Sequence, residues 1–287
     1  MPENLRTLRR KREIVGEIQQ ITRAMKLVSA AKLKRALTWR EATQAYFSEV
    51  EVALALALAN AGPGFSHPLL AERPVERIGL LLVAGDKGLC GAFNANVVGA
   101  AREFIGRQRA RVQTMTVGTR TAEMARRARL NVTREFPAIN ERQRGADVQE
   151  IARHLFGVWQ AGSYDAVHIC HAQFISRMRT TPVVERVLPT KLPQVTVEPR
   201  PVIFEPDAAQ LAGAILPQYV IARLFQALLS SAASEHSARL MAMSAATENA
   251  QEMLTQLTRH INRARQAQVT RELLDVVSGA DALQVQR

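Results

Sequence analysis

The sequence predicts an α/β protein: two terminal helices pair as a long antiparallel coiled coil, and a smaller doubly wound α/β domain lies between them. Three observations predict it. Apolar residues recur at spacings of three, four and seven over about residues 3–60, and spaced apolar residues stripe about 207–280. The segment between them switches to short, near-continuous apolar runs separated by glycine turns. Proline and glycine mark both junctions, at AGPGFSHP (61–68) and between Pro189 and Pro206. The division that follows is 1–60 for the first helix, 61–206 for the central domain and connector, and 207–287 for the last helix. At about 1.5 Å per residue the two helices span ~85 Å and ~110 Å, far beyond an ordinary globular helix.

In the first helix the stripe reads Leu5, Leu8, Val15, Ile18, Ile21, Met25 and Val28, a narrow seam rather than a wide globular face. The opposite surface is basic, with Arg6, Arg9, Arg10, Lys11, Arg12 and Arg23 opposed by Glu3, Glu13 and Glu17. RIGLLLVAG (77–85) reads as a buried strand, GDKGLCG (85–91) as a turn, and FNANVVGAAREFIGRQ as a helix. VQTMTVG (112–118) is a second strand, TAEMARRARL a short helix, and 146–160 another helix. DAVHICHAQF (165–174) is a strand and VVERVLP (183–189) an edge strand. Alternation of this kind predicts a parallel sheet with helices on both faces. Asp207 and Gln210 form a capping pair for the last helix, and Pro217 is expected to kink or break it. Beyond it Leu224, Leu228, Leu240, Met243, Met253, Leu257, Ile261, Ala264, Leu273 and Val276 make the stripe. Leu257 and Ile261 are expected in the seam, matching the apolar pattern near Val15 and Ile18. Small residues crowd 230–250 and allow two backbones to approach closely.

Composition narrows function. The net charge of +12 implies an acidic protein surface, nucleic acid or an anionic membrane as partner. Aromatics are 5% of a chain that is 47% hydrophobic, which suits close helix seams better than a thick globular core. Cys90 and Cys170 are far apart in sequence, so a reducing compartment is the simpler expectation. No apolar run follows the charged start MPENLRTLRRKRE, so no secretory signal is expected. VEVALALALA (50–59) and RIGLLLVAG are too short to cross a bilayer, and the chain is not expected to span one. No His/Cys spacing suggests zinc or haem, and no cofactor is expected. His168 and His171, three residues apart on a strand, should face opposite ways. GDKGLCG lacks both the G-x-x-x-x-G-K-[ST] order and the G-x-G-x-x-G spacing of phosphate sites.

Three segments carry a family resemblance. IQQITRAMKLVSAAKLKRA (18–36), AGDKGLCGAFNANV (84–97) and SEHSARLMAMSAATENA, followed by RARQAQVTRELLDVVSGADA, resemble the gamma subunit of F-type ATP synthases in order and spacing over nearly the whole chain. VTRELLDVVSGADA (269–282) satisfies the family signature. Departures occur at Ala84-Gly85, Lys87 and Ala92-Phe93. The resemblance implies that the terminal helices form the central rotor shaft of F1 and that the middle domain is Rossmann-like. It implies partners in the alpha and beta subunits, the epsilon subunit and the c-ring. The chain would then be non-catalytic, and peripheral at the cytoplasmic face of a bacterial membrane. No cysteine-bearing insertion of the plant chloroplast type is present, so thiol regulation is not expected.

By the same resemblance Met25, Lys26, Arg239, Gln266 and Thr270 are the expected torque-bearing interface. There the two helices meet each other and acidic beta-subunit loops. Arg239 is expected to pair with a beta carboxylate. Asp86, Lys87 and Cys90 are the expected contacts on the epsilon and c-ring side. Two other classes compete. An α/β enzyme would bind a ligand in the central domain; a basic nucleic-acid-binding coiled coil has the Arg/Lys density but no aromatic platform.

Overall fold

In the computed structural model, described residues are 5–62, 64–139, 144–192 and 202–284. Most of the expected proline connector, 193–201, lies outside them, as does Glu3. The chain divides into two compact units, Ser29–Arg239 and Met1–Val28 with Leu240–Arg287. Helix α1 (Leu5–Asn60) and helix α5 (Ala208–Gln284) each contribute a segment to both.

The larger unit holds a five-stranded sheet. Its strands are β1 (Arg77–Val83), β2 (Arg111–Val117), β3 (Val132–Phe136), β4 (Ala166–Phe174) and β5 (Thr180–Leu188). Their order is β3-β2-β1-β4-β5, parallel except for the antiparallel β4–β5 hairpin. Helices α2 (Phe93–Arg107) and α3 (Thr119–Arg127) join β1, β2 and β3, and α4 (Arg144–Gln160) returns to β4. Strand β1 is buried at every position after Arg77, as expected of a strand covered on both faces. One face packs Leu80, Leu82 and Cys170 against Val97, Val98 and Ala101 of α2 and Ala125 of α3. The other packs Leu81, Val167 and Ile169 with Ile151, Leu155 and Trp159 of α4, Leu54 of α1, and Leu216, Val220 and Leu224 of α5. The sheet is therefore doubly wound, and strand β5 is an edge as expected.

Strand β3 was not legible in the sequence. Its five residues VTREF leave only Phe136 buried, so neither alternation nor a continuous apolar run marks it. Within this unit Phe47 of α1 meets Phe225 of α5 at a ring-centroid distance of 5.9 Å. Asp207 caps α5, its carboxylate accepting from the Gln210 N–H at 2.8 Å. Pro217 does not end the helix. Leu216, Tyr219 and Val220 are buried around it, and that packing offsets the cost of the lost backbone bond. Part of α5 is long and apolar enough to cross a bilayer by length and composition, a window the sequence reading overlooked. Nearly half of that window is buried inside the protein.

In the smaller unit α1 and α5 run antiparallel. Gln19 Nε2 donates to Gln251 Oε1 at 2.7 Å, and Thr247 Oγ1 to Thr22 Oγ1 at 3.0 Å. Leu8, Thr22, Met243 and Ala250 are buried, while Val15, Leu254, Leu257 and Ile261 are half-buried. The seam thus differs from the expected one. Ile18, Ile21 and Val28 are 47%, 59% and 56% exposed, and Ile14 and Leu27 are exposed too. Polar Gln19 and Thr22 take seam positions because paired hydrogen bonds satisfy them there. Farther along α5, every residue from 265 to 278 is exposed, including Leu273 and Val276.

Candidate functional site: the carboxyl edge of the sheet

In an open α/β sheet, ligands bind outside the carboxyl ends of the strands where the strand order reverses. Here that point lies between β1 and β4. It is filled by α5. Ser231 Oγ donates to the Val83 carbonyl at the end of β1 at 3.2 Å. Ser234 Oγ donates to the Ala172 carbonyl of β4, also at 3.2 Å. Ser230 Oγ accepts from the Phe174 N–H at 2.8 Å, and Ser237 Oγ donates to the Arg177 carbonyl in the β4–β5 turn at 2.6 Å. Helical serines commonly bond back to their own helix. These four instead face the sheet, because α5 lies against the ends of β1 and β4 beyond their last shared register pair, Leu82 with Cys170.

Arg239 completes the contact. It is only 6% exposed. Its Nε donates to the Gly88 carbonyl at 3.1 Å, and Nη2 donates to the Lys87 carbonyl at 3.0 Å and to the Glu235 carboxylate one turn back. Burial pushes the Glu235 carboxyl above its ordinary range, with Asp86 adding to the effect and Arg239 opposing it. Within this chain the carboxylate partner of Arg239 is Glu235. A planar guanidinium suits this task because three donors reach three acceptors in fixed directions.

The turn it holds is built for close approach. Gly85 has no side chain, and its N–H donates to Asn94 Oδ1 at 2.7 Å. A Cβ at this position would lie 2.8 Å from Asn94 Oδ1 and 2.9 Å from the Glu235 side chain. Asp86 and Lys87 are exposed. Cys90 is buried, its Sγ within 3.6 Å of the Lys87 carbonyl. Burial raises its thiol pKa, Arg239 opposing. Burial likewise pushes Cys170 up to about 12. Both thiols are free and poorly suited to nucleophilic chemistry.

The structure thus joins two groups of residues that the sequence reading assigned to different surfaces, Arg239 and the Asp86–Lys87–Cys90 turn. It does not bring the other candidates to this site. Met25 and Lys26 are half-buried on α1 in the smaller unit. Gln266 and Thr270 are exposed on α5, joined by the Thr270 hydroxyl donating to the Gln266 carbonyl at 3.0 Å. The serines and Glu235 were missed as a site. Ser230, Ser231 and Ser234 at spacings of one and three were the available signal, read only as small residues.

His168 and His171 do face opposite ways. His168 stacks near Phe104 of α2 at 4.9 Å, whereas His171 lies 3.7 Å from Glu185 of β5, which Arg223 of α5 also meets. No cluster of three or more His, Cys, Asp or Glu suited to a metal occurs among the described residues.

Two unequal long helices around a Rossmann-like domain whose ligand crevice holds its own helix define a stalk-type subunit. The comparisons agree. The ATP synthase family model matches residues 4–283. The ATP synthase gamma chain of Pelotomaculum thermopropionicum is 39% identical over 283 residues, covering 98% of this chain and 99% of the relative. That of Solibacter usitatus is also 39% identical, over 279 residues and 96% and 97% of the two chains. The fold matches the central stalk of the Tetrahymena thermophila mitochondrial ATP synthase with a TM-score of 0.61 at 22% identity, covering 79% of this chain and 99% of that one. A chain of the Euglena gracilis mitochondrial enzyme matches with a TM-score of 0.65 at 15% identity, over 97% and 94%. The chain belongs to the ATP synthase gamma chain family, and its role is that of the central-stalk rotor of that rotary complex.

Proposed function

We propose that this chain is by itself non-catalytic and turns with a c-ring, imposing successive nucleotide states on an alpha3-beta3 ring at the cytoplasmic face of a bacterial membrane. The observation that carries the non-catalytic part is the occupied crevice. Ser231, Ser234 and Arg239 stand where a Rossmann-like domain would bind its ligand. The three-part division 1–60, 61–206 and 207–287 is kept as the functional one. The epsilon subunit and the c-ring are the partners proposed for the middle part.

The exposed apolar residues of the smaller unit support a surrounding ring. Ile14, Ile18, Ile21 and Val28 on α1, and Leu273, Val276 and Val277 on α5, need cover. Arginines beside them, such as Arg9 and Arg12, suit an acidic rim. Met25, Lys26, Gln266 and Thr270 are proposed to meet that ring. Arg239 serves the same interface indirectly, by holding the turn that presents Asp86 and Lys87, with Cys90 packed beneath.

Copurification with alpha and beta subunits tests the reading, with one copy of this chain per alpha3-beta3 ring expected. The chain freed of beta subunit should turn over no ATP. Sustained turnover by the isolated chain, or a preparation of alpha and beta that excludes it, would overturn the proposal.

A further inference from the structure

The rotor reading leaves open how the sheet domain stays fixed on a helix that must carry turning force. Apolar packing in the larger core resists movement of the helix but does not by itself fix one direction, because burial is non-directional. Hydrogen bonds to fixed carbonyls cannot slide without breaking. Four serines of α5 engage three places on the sheet edge: the end of β1, the end of β4 and the β4–β5 turn. Ser231, Ser234 and Ser237 are buried, so a lost partner is not replaced by water. Arg239 adds a fourth attachment, to the Lys87–Gly88 turn.

We propose that Ser231, Ser234 and Ser237 are positioning residues that lock the sheet domain to α5 against rotation about the helix axis. Force applied to the domain then reaches the helix, and force on the helix reaches the domain. The attachments lie along more than two turns of α5 and aim at different strands, so no small rotation preserves them all. This inference rests on the rotor reading and names the joint through which it works.

The test uses the assembled membrane complex carrying Ser231→Ala, Ser234→Ala and Ser237→Ala together, with each single variant alongside. Pumping of the coupling ion, proton or sodium, and ATP hydrolysis are measured on the same vesicles, with complex yield determined separately. A purely structural role lowers yield and scales both activities together. The joint predicts that hydrolysis per complex is retained while pumping per ATP falls by at least about threefold, with smaller falls in the single variants. Ser237→Thr, which keeps the hydroxyl, should restore pumping relative to Ser237→Ala. An unchanged ratio of pumping to hydrolysis in every variant that assembles overturns the proposal. If the triple variant does not assemble, the single variants decide by the same ratio. Failure of the wild-type chain to join the complex would instead sink the rotor reading itself.

Discussion

Arg239 shows how the fold can supply a partner within the chain for a residue whose spacing suggests an outside one. A charged residue in a helical seam reads from sequence as surface seeking an acidic partner. The structure buries it with a carboxylate and two carbonyls that sequence distance had hidden. Arg239→Ala would strand Glu235 and two backbone acceptors, and breaking a buried pair costs about 3–5 kcal/mol. Denaturant unfolding should show a loss of that size, with lower complex yield or lower rotation-coupled turnover per assembled complex. Arg239→Lys should recover little, since one ammonium cannot reach three acceptors in the same directions. Gly85→Ala should destabilise by about 1–3 kcal/mol, because its Cβ meets Asn94 and Glu235. Titration gives a third prediction. Burial, reinforced by the Arg186 charge, holds His168 down to about 4. An unfolded histidine takes up a proton near 6.5, so stability is lost as pH falls from roughly 6.5 toward 4. His168→Gln should flatten that slope in urea titrations. Asp165 acts in a lower window. Burial alone would raise its carboxyl, but the Arg77 N–H, the Arg77 guanidinium and the Glu76 N–H outweigh it and leave the pKa lowered. Its contribution is present above about 4 and is lost as pH falls through the folded value, a loss absent from Asp165→Asn.

At the scale of elements, helices and buried strands were legible because their signals are local. Strand β1 is an uninterrupted run without a polar side chain after Arg77, and β4 carries Ala166, Val167, Ile169, Cys170 and Phe174 between turn signals. Strand β3 gave no such signal, since its placement depends on pairing with β2 rather than on burial of its own side chains. The helical seam failed differently. Apolar spacing alone selected Ile18, Ile21 and Val28, yet those residues face outward and Gln19 and Thr22 face α5. A chain that awaits a partner has two apolar faces, and periodicity cannot say which one closes on itself. Pro217 does not break α5, because Leu216, Tyr219 and Val220 pack around it. Pro217→Ala should therefore stabilise the isolated chain, by up to about 3 kcal/mol if the restored N–H bonds normally. Thermal unfolding would register this as a raised midpoint, and a lowered one would mean that the proline ring itself packs usefully.

For the molecule as a whole, the candidate site was half legible. The glycine turn and Arg239 were both singled out, but only the fold brings them together. Their meeting lies beside the crevice where a Rossmann-like domain would bind a ligand, which Ser231 and Ser234 of α5 occupy here. Deletion from Val276 onward should reduce ATP turnover of the assembled complex less than Arg239→Ala does. Val276, Val277 and Ser278 are exposed on α5, whereas Arg239 is buried against the Lys87–Gly88 turn. A larger loss from the deletion would show that the end of α5 carries more of the coupling than the joint. The exposure of α5 from 265 to 278 has one more consequence. Nearer its start within the smaller unit, α5 is braced by α1; here a single helix stands alone. A lone helix yields more readily to twist than two helices cross-linked by hydrogen bonds. Among the described residues no side chain of α1 shelters this stretch, so Leu273, Val276 and Val277 are left for a surrounding subunit to cover, and the free chain should be more soluble without them than with them.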